Sequence, residues 1–392
     1  MKKVITLFLL FMVFSTSIGQ TIKDSIQSSP KNQINSAQRI LSGNAGKAIT
    51  IGGYAQLDYN QPEGSNGEID VHRLVILFGY KFNDKTQFVT EIEYEHVNEV
   101  FVEQAFVNYS IGNNISLRGG LMLVPFGIIN EFHEPTTFNG VERPNLDGFI
   151  VPTTWRELGI GVNGKFNDIS LGYQAYIFNG FKPADEDGNP LLTGINGFRG
   201  GRQKGIRSVV NSPTFAVKLD YYGVQGLRLG LSTYLGDTQA DDEVEDLEGA
   251  NVGIAMVGLD ARYRKQRFSA RGQFVYASIS DSKEYNILYS DANSNLGSAM
   301  LGWYVEGAYN LLSLSKDQKL DIFARFENYN THFNTDGIEK NKAYNRYDLT
   351  TGLSYHIAPG VVVKGDYQFK DNEGQKYEDV ANQLNLGIGV WF

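Results

Sequence analysis

Sixteen stretches of this chain alternate apolar and polar side chains, and every second connection between them is a tight turn. The stretches fall near 48–60, 68–82, 86–96, 99–111, 114–124, 156–166, 169–180, 213–222, 226–236, 251–264, 267–280, 298–311, 319–330, 343–357, 361–370 and 381–392. A period of two with one apolar face is a β-strand. Six of the seven short connections are Asn83-Asp84-Lys85, Gly112-Asn113-Asn114, Asn167-Asp168, Gly223 to Gly226, Lys265-Gln266 and Ala358-Pro359-Gly360, and Leu312 to Gln318 is slightly longer. The interleaved eight are mostly longer, and two of them, 125–155 and 181–212, exceed 30 residues. Loop length sorted by parity puts all turns at one end of a cylinder and all long loops at the other, which a soluble sandwich has no reason to do. The expected fold is therefore all-β, a closed 16-stranded antiparallel transmembrane barrel over residues 48–392, with the turns and both termini in the periplasm.

Charge tests this independently, because Arg or Lys on a lipid face costs roughly 2–4 kcal/mol at mid-bilayer, so each strand needs one uncharged face. In the third stretch Phe88, Thr90, Ile92 and Tyr94 oppose Val89, Glu91, Glu93 and Glu95. The thirteenth sets Leu320, Ile322, Ala324 and Phe326 against Asp321, Phe323, Arg325 and Glu327. The fifteenth sets Val361, Val363, Gly365, Tyr367 and Phe369 against Val362, Lys364, Asp366, Gln368 and Lys370. The second is ambiguous, since Val75 and Leu77 share a face with Arg73. A lumen lined by both signs of charge is wet, and 16 strands are wide enough for an aqueous channel.

The chain ends fit export. Met1-Lys2-Lys3, an apolar run of 11 residues from Val4 to Phe14, and Ser17-Ile18-Gly19 ahead of Gln20 form a cleavable signal over residues 1–19. Residues 20–47 are polar and aperiodic and read as a flexible periplasmic segment; a tether to the wall or a short plug helix has no support there. Without Lys2 and Lys3 the formal charge of −9 becomes −11, and no basic stripe points to nucleic acid. The absence of cysteine excludes disulfides and thiolate metal sites. The last nine residues put Leu384, Leu386, Ile388, Val390 and Phe392 on one face. An aromatic last residue on such a strand resembles the closing-strand signal of bacterial outer-membrane barrels, which implies recognition of Phe392 by the barrel-insertion machinery.

The connection 125–155 is the most particular part of the chain. It reads Pro125-Phe126-Gly127-Ile-Ile-Asn-Glu-Phe-His133-Glu134-Pro-Thr-Thr-Phe138, then Arg143-Pro144, then Val151-Pro-Thr-Thr-Trp155-Arg156-Glu157. This run resembles the phosphate-selective porin O/P family, in which a Pro-Phe-Gly turn follows the fifth strand and the third loop folds into the barrel as a constriction. Gly53-Tyr54 with Gln56, the strand carrying Arg73, and Phe392 also look like that family, so the resemblance spans most of residues 48–392.

The resemblance implies a passive channel for small solutes, anions such as phosphate above all, assembled as a homotrimer in outer-membrane lipid. It implies a constriction containing Pro125, Phe126, Gly127, His133, Glu134 and Trp155. Guanidinium is permanently charged and binds an oxyanion bidentately, and a water-poor constriction strengthens its field. Arg118 faces the lumen by parity, Arg143 and Arg156 sit on or beside the loop, and Arg73, Arg228, Arg262, Arg271 and Arg325 would continue a ladder along the wall. The competing reading of each is a wall charge paired to an acid on a neighbouring strand. Glu91, Glu93 and Glu95 on one strand, and Glu131, Glu134 and Glu142 in the loop, run against anion preference. Arg199, Arg202, Lys204 and Arg207 form either an external funnel or, the favoured reading, partners for Asp241-Asp242-Glu243 and Glu245-Asp246.

Other motifs carry no chemistry. Gly159-Ile-Gly161-Val-Asn-Gly164 matches GxGxxG but opens no helix. Asp185, Asp187, Gly188 and Asn189 imitate part of a calcium loop, yet Asn196 stands where the bidentate Glu belongs. His72, His96, His133, His332 and His356 show no ligand spacing, so no metal or other cofactor is expected. A barrel enzyme lacks a nucleophile–base context here. An energised receptor would need a plug of well over 100 residues, against the 28 of residues 20–47. A diffusion channel, anion-preferring or general, remains.

Overall fold

The computed structural model describes residues 34–42, 48–292, 294–374 and 381–392, and its strands close into one antiparallel barrel. The first eight are β1 (Ile49–Pro62), β2 (Glu68–Lys81), β3 (Thr86–Glu95), β4 (Glu99–Ser110), β5 (Ser116–Leu123), β6 (Arg156–Phe166), β7 (Leu171–Phe178) and β8 (Thr214–Tyr221). The second eight are β9 (Leu227–Asp237), β10 (Gly253–Lys265), β11 (Phe268–Ile279), β12 (Ala299–Asn310), β13 (Lys319–Asn334), β14 (Asn345–Ala358), β15 (Val361–Asn372) and β16 (Gln383–Trp391). Each strand pairs with its sequence neighbours, and β1 closes on β16 from Tyr54↔Trp391 to Pro62↔Gln383. The terminal residue belongs to that seam: Phe392 donates its N–H to the Gly53 carbonyl at 2.9 Å and accepts the Gly53 N–H at 3.0 Å. The expected 16-stranded barrel is the observed one, with turns and long loops segregated to opposite ends.

The side-chain faces follow from the period of two. Leu384, Leu386, Ile388 and Phe392 point outward and exposed, while Asn385, Gly387 and Gly389 are buried inward. Glu91 and Glu93, Arg325 and Glu327, and Lys364 and Asp366 all lie on the inner face of their strands. On β2 the ambiguity resolves inward: Arg73, Val75 and Leu77 are buried, and Leu74 and Ile76 are exposed outside.

Apolar side chains facing a lumen need a cover, and the cover is a helix. Within the segment 20–47, expected to be a flexible tail, the described residues form α1 (Ser36–Ser42) inside the turn end of the barrel. Asn35 caps it, its Oδ1 accepting the Gln38 N–H at 2.9 Å. Ala37 and Ile40 join Val75, Leu77 and Val89 in one buried apolar cluster. Gly79 leaves room for the Ile40 side chain, and the Arg39 guanidinium lies 4.8 Å above the Trp391 ring. Seven residues are too few for a stable helix in water, so docking on β1–β3 is what forms α1. The signal segment 1–19 and the rest of 20–47 lie outside the described residues.

Candidate functional site

The loop after β5 turns into the barrel and is fastened at its base. Val124 donates its N–H to the Trp155 carbonyl at 2.9 Å. Asn130 bridges the same two strands of the loop, donating to the carbonyls of Val124 (2.8 Å) and Trp155 (2.9 Å) and accepting the Trp155 N–H at 2.8 Å. In the Pro-Phe-Gly turn Gly127 has φ 65°, which favours glycine, and its N–H reaches Ser232 Oγ at 3.2 Å. Lys218 Nζ holds the Gly127 carbonyl and the Glu131 carboxylate. Farther along, Val141 donates its N–H to Asp366 at 2.6 Å, and Asn145 donates its side-chain N–H to Asp348 at 2.6 Å. The Leu146 N–H reaches Glu327 at 3.1 Å, and Lys364 Nζ reaches the Phe138 carbonyl at 2.9 Å. The wall's polar side chains thus satisfy the backbone of a loop that has no strand ladder of its own.

Burial adds to this. Phe126, Ile128, Ile129, Leu146, Ile150, Val151 and Trp155 are fully buried. The loop contains a single-turn helix, α2 (Leu146–Phe149), and Trp155 stacks on Phe181 at 4.7 Å. Inward glycines make the space: a side chain at Gly258 would meet Phe126 at 2.9 Å, and one at Gly389 would meet Pro135 at 2.7 Å. At mid-height the third loop therefore covers part of the charged wall that was expected to line the lumen. There the third loop brings its own apolar residues into contact with Tyr176, Tyr234, Met256 and Tyr304 of the wall.

The eight arginines separate into groups. Arg228 pairs with Asp220 at 2.9 Å, Arg262 with Asp220 at 3.4 Å, Arg271 with Glu306 at 2.9 Å, and Arg325 with Glu327 at 3.3 Å and Glu306 at 3.5 Å. Arg73, fully buried, donates to the His133 carbonyl at 2.7 Å and Gln56 at 3.2 Å, with Glu93 3.9 Å away. It anchors the loop rather than facing a cavity. Arg156 stands 3.9 Å from Glu103. Arg118 and Arg143 have no carboxylate within 4.0 Å among the described residues; Arg118 packs 4.5 Å over Phe106. Burial first, then the neighbouring Arg73, lowers the Arg143 guanidinium to about 10.

Of the acids that ran against anion preference, Glu91, Glu93, Glu131 and Glu134 are withdrawn from open space, and Glu95 and Glu142 stay partly exposed. Glu91, Glu93, Glu103 and Glu134 are buried and converge with His133 between the loop and β1, β3 and β4. On the turn-end side of the loop lies a cavity of about 520 Å³. Its lining includes Arg39, Arg262, Arg264, Arg271, Lys319 and His356, with Thr136, Thr137 and Asn139 of the loop and one carboxylate, Glu306. Arg262 and Arg271 were expected sites. Arg264 was legible from the same alternation, since it shares a face with Arg262, whereas Arg39 depends on the helix expected to be a tail.

Toward the loop end, Arg202 donates to the Thr153 carbonyl at 2.5 Å and to Thr154 Oγ1 at 3.2 Å, so it caps the third loop. Burial, then Arg199 and Arg156, lowers Arg202 to about 9. The favoured pairing of this basic loop with Asp241 to Asp246 is corrected: among the described residues the ion pair there is Lys182–Asp241 at 2.9 Å. The backbone carbonyls at the loop-3 exit are nearer partners for Arg202 than the acidic loop is.

A barrel of this strand number, with its third loop folded inside, defines the porin class of fold. Solved structures agree at low identity. Salmonella typhi OmpF matches with TM-score 0.60 and 12% identity over 88% of this chain and 97% of that one. The outer membrane channel DcaP of Acinetobacter baumannii matches at 0.59 and 12% over the same shares. An anion-selective porin from Comamonas acidovorans matches at 0.55 and 12%, covering 88% of this chain and 99% of that one. No family model matches the chain. It belongs to the same family as an uncharacterized protein of Aquifex aeolicus (strain VF5), 35% identical over 353 residues, 85% of this chain and 78% of the relative.

Proposed function

We propose that the protein is an outer-membrane porin, delivered by cleavage of residues 1–19, through which small hydrophilic solutes diffuse passively with a preference for anions such as phosphate. One observation carries the preference: the lining of the cavity beneath the third loop includes Arg39, Arg262, Arg264, Arg271 and Lys319 with one carboxylate, Glu306, while Asp220 and Asp321, which pair with Arg262 and Lys319, stand outside that lining. Excess positive charge in a low-dielectric, narrow space concentrates oxyanions and repels cations. The Thr136 hydroxyl is suited to donate a hydrogen bond to a dehydrating phosphate, whereas Thr137 Oγ1 already donates to the Phe132 and Glu134 carbonyls at 2.6 and 2.7 Å. The formal charge of −11 after cleavage does not oppose this, because Glu91, Glu93, Glu131 and Glu134, at or beside the loop, are buried. Arg118, Arg143 and Arg156 extend the same field through the constriction. A homotrimer, the arrangement implied by the likeness to the phosphate-selective porin O/P family, belongs to this reading, as does Phe392 as the insertion signal. Electron transfer and covalent chemistry play no part in it.

Reversal potentials across a planar bilayer in a KCl gradient test the proposal. The wild type is expected to favour chloride, with Arg264→Ala combined with Lys319→Ala, and separately Arg143→Ala or Arg156→Ala, lowering the anion-to-cation permeability ratio. Phosphate added as competitor is expected to block chloride current. Unchanged ratios in all variants leave a general, non-selective porin.

A further inference from the structure

Four side-chain atoms from four elements converge where the third loop meets the wall. Tyr54 Oη of β1 lies 2.8 Å from Glu91 Oε1 of β3, 3.2 Å from Glu103 Oε2 of β4 and 3.0 Å from His133 Nε2 of the loop. His133 Nε2 is itself 3.4 Å from Glu103 and 3.9 Å from Glu91. All four residues are buried. With both carboxylates ionised and Nε2 unprotonated, this set is short of hydrogens. His133 Nδ1 meets the Asn130 carbonyl at 2.9 Å, and a carbonyl only accepts, so Nδ1 carries the proton. Without a proton on Nε2, the ring aims a lone pair into the cluster. Tyr54 has one hydrogen for three acceptors, and Glu103 Oε1, fully buried, has no hydrogen-bond partner among the described residues.

From this arrangement we infer a binding site for one divalent transition-metal ion of zinc type, held by Glu91, Glu103, His133 and Tyr54. Oxygen and nitrogen ligands at about 2.0–2.2 Å around a tetrahedral ion lie roughly 3.3–3.6 Å apart. The five separations above, 2.8 to 3.9 Å, bracket that spacing, the ligand atoms of Glu91, Glu103 and His133 all lie within 4.8 Å of one another, and the shortest separation must open by at least about 0.5 Å to reach it. The backbone carbonyl on Nδ1 is the outer partner that fixes a ligating imidazole. One imidazole, two carboxylates and a phenol are borderline-to-hard donors that suit Zn²⁺ or Mn²⁺ over soft ions. The ion staples the loop to three strands of the wall.

The test uses the folded full-length protein, stripped with chelator and titrated with Zn²⁺ and, separately, Co²⁺. One ion per chain is expected, with visible absorption of four-coordinate Co²⁺. His133→Ala and Glu103→Gln are expected to weaken binding at least about 100-fold, and Tyr54→Phe about tenfold, on the scale that second-shell losses alone reach. Substoichiometric metal, Co²⁺ without the four-coordinate bands, or variants that bind like wild type overturn the inference. If a variant fails to fold, the Co²⁺ spectrum of the wild type decides alone. Metal binding is independent of ion selectivity, so either proposal can fail without the other.

Discussion

Replacing Ile40 with Asp should eject the helix α1 and enlarge the turn-end cavity. Ile40 is 2% exposed and packed with Val75, Leu77 and Val89. Deleting such a side chain costs about 2–5 kcal/mol, and a buried carboxylate adds to that. Against this stand few anchors: Ser36 donates its N–H to Glu134 at 2.6 Å and its hydroxyl to Glu91 at 3.2 Å, and Gln87 donates to the Leu41 carbonyl at 3.2 Å. Each is worth about 1 kcal/mol net. At 1.4 kcal/mol per decade, the docked fraction relative to undocked falls by roughly 30-fold to several thousandfold. A seven-residue helix, taken as a cylinder about 10 Å across rising 1.5 Å per residue, fills roughly 800 Å³. That is the same order as the cavity of about 520 Å³ which it borders through Ile34 and Arg39. Single-channel conductance should therefore rise in Ile40→Asp and change little in Ile40→Val, with the β-sheet circular dichroism of both intact. Wild-type conductance in a folded Ile40→Asp barrel refutes the docking argument.

Two further outcomes follow from the third loop. Asn130→Ala orphans the Trp155 N–H, while the Val124 and Trp155 carbonyls keep the Phe126 and Val124 N–H groups. The loss is about 2–5 kcal/mol, read as a lower thermal midpoint of the folded, heat-modifiable band; an unchanged midpoint contradicts it. Asp147 is pushed up by burial to about 7 from its ordinary 3.8, against the donation from Gln273 at 3.0 Å. The folded state then holds a proton that the unfolded chain has released. Its contribution is complete below about pH 3.8 and is lost as pH rises to about 7, on the order of 4 kcal/mol at most. Denaturation midpoints of Asp147→Asn should fall less between pH 4.5 and 7.5 than those of wild type, and parallel curves would count against the assignment.

The barrel was legible because lipid imposes a local rule. Each strand must present an uncharged face to hydrocarbon, and that requirement is written residue by residue, as in Leu384, Leu386 and Ile388 against Asn385 and Gly387. The turns between strands obey equally local chemistry. The loop that enters the lumen was legible through a resemblance, and through Pro125-Phe126-Gly127 in particular. The strand ambiguity at Val75 and Leu77 was itself a signal: inward apolar residues in a polar lumen called for a covering element.

What the sequence alone determined is the cylinder, its strand count, its two ends and its faces, since all of these repeat with a period of two along the chain. Only the tertiary structure decided which charges meet. Glu91, Glu103 and His133 are separated by 12 and 30 residues and sit on three elements, and barrel closure together with loop insertion brings them into one buried cluster with Tyr54. The same closure pairs Arg228, Arg271 and Arg325 with Asp220 and Glu306 on neighbouring strands, and gathers Arg39, Arg264 and Lys319 around one cavity. Electrostatic energy depends on distance through space, and no spacing along the chain encodes that.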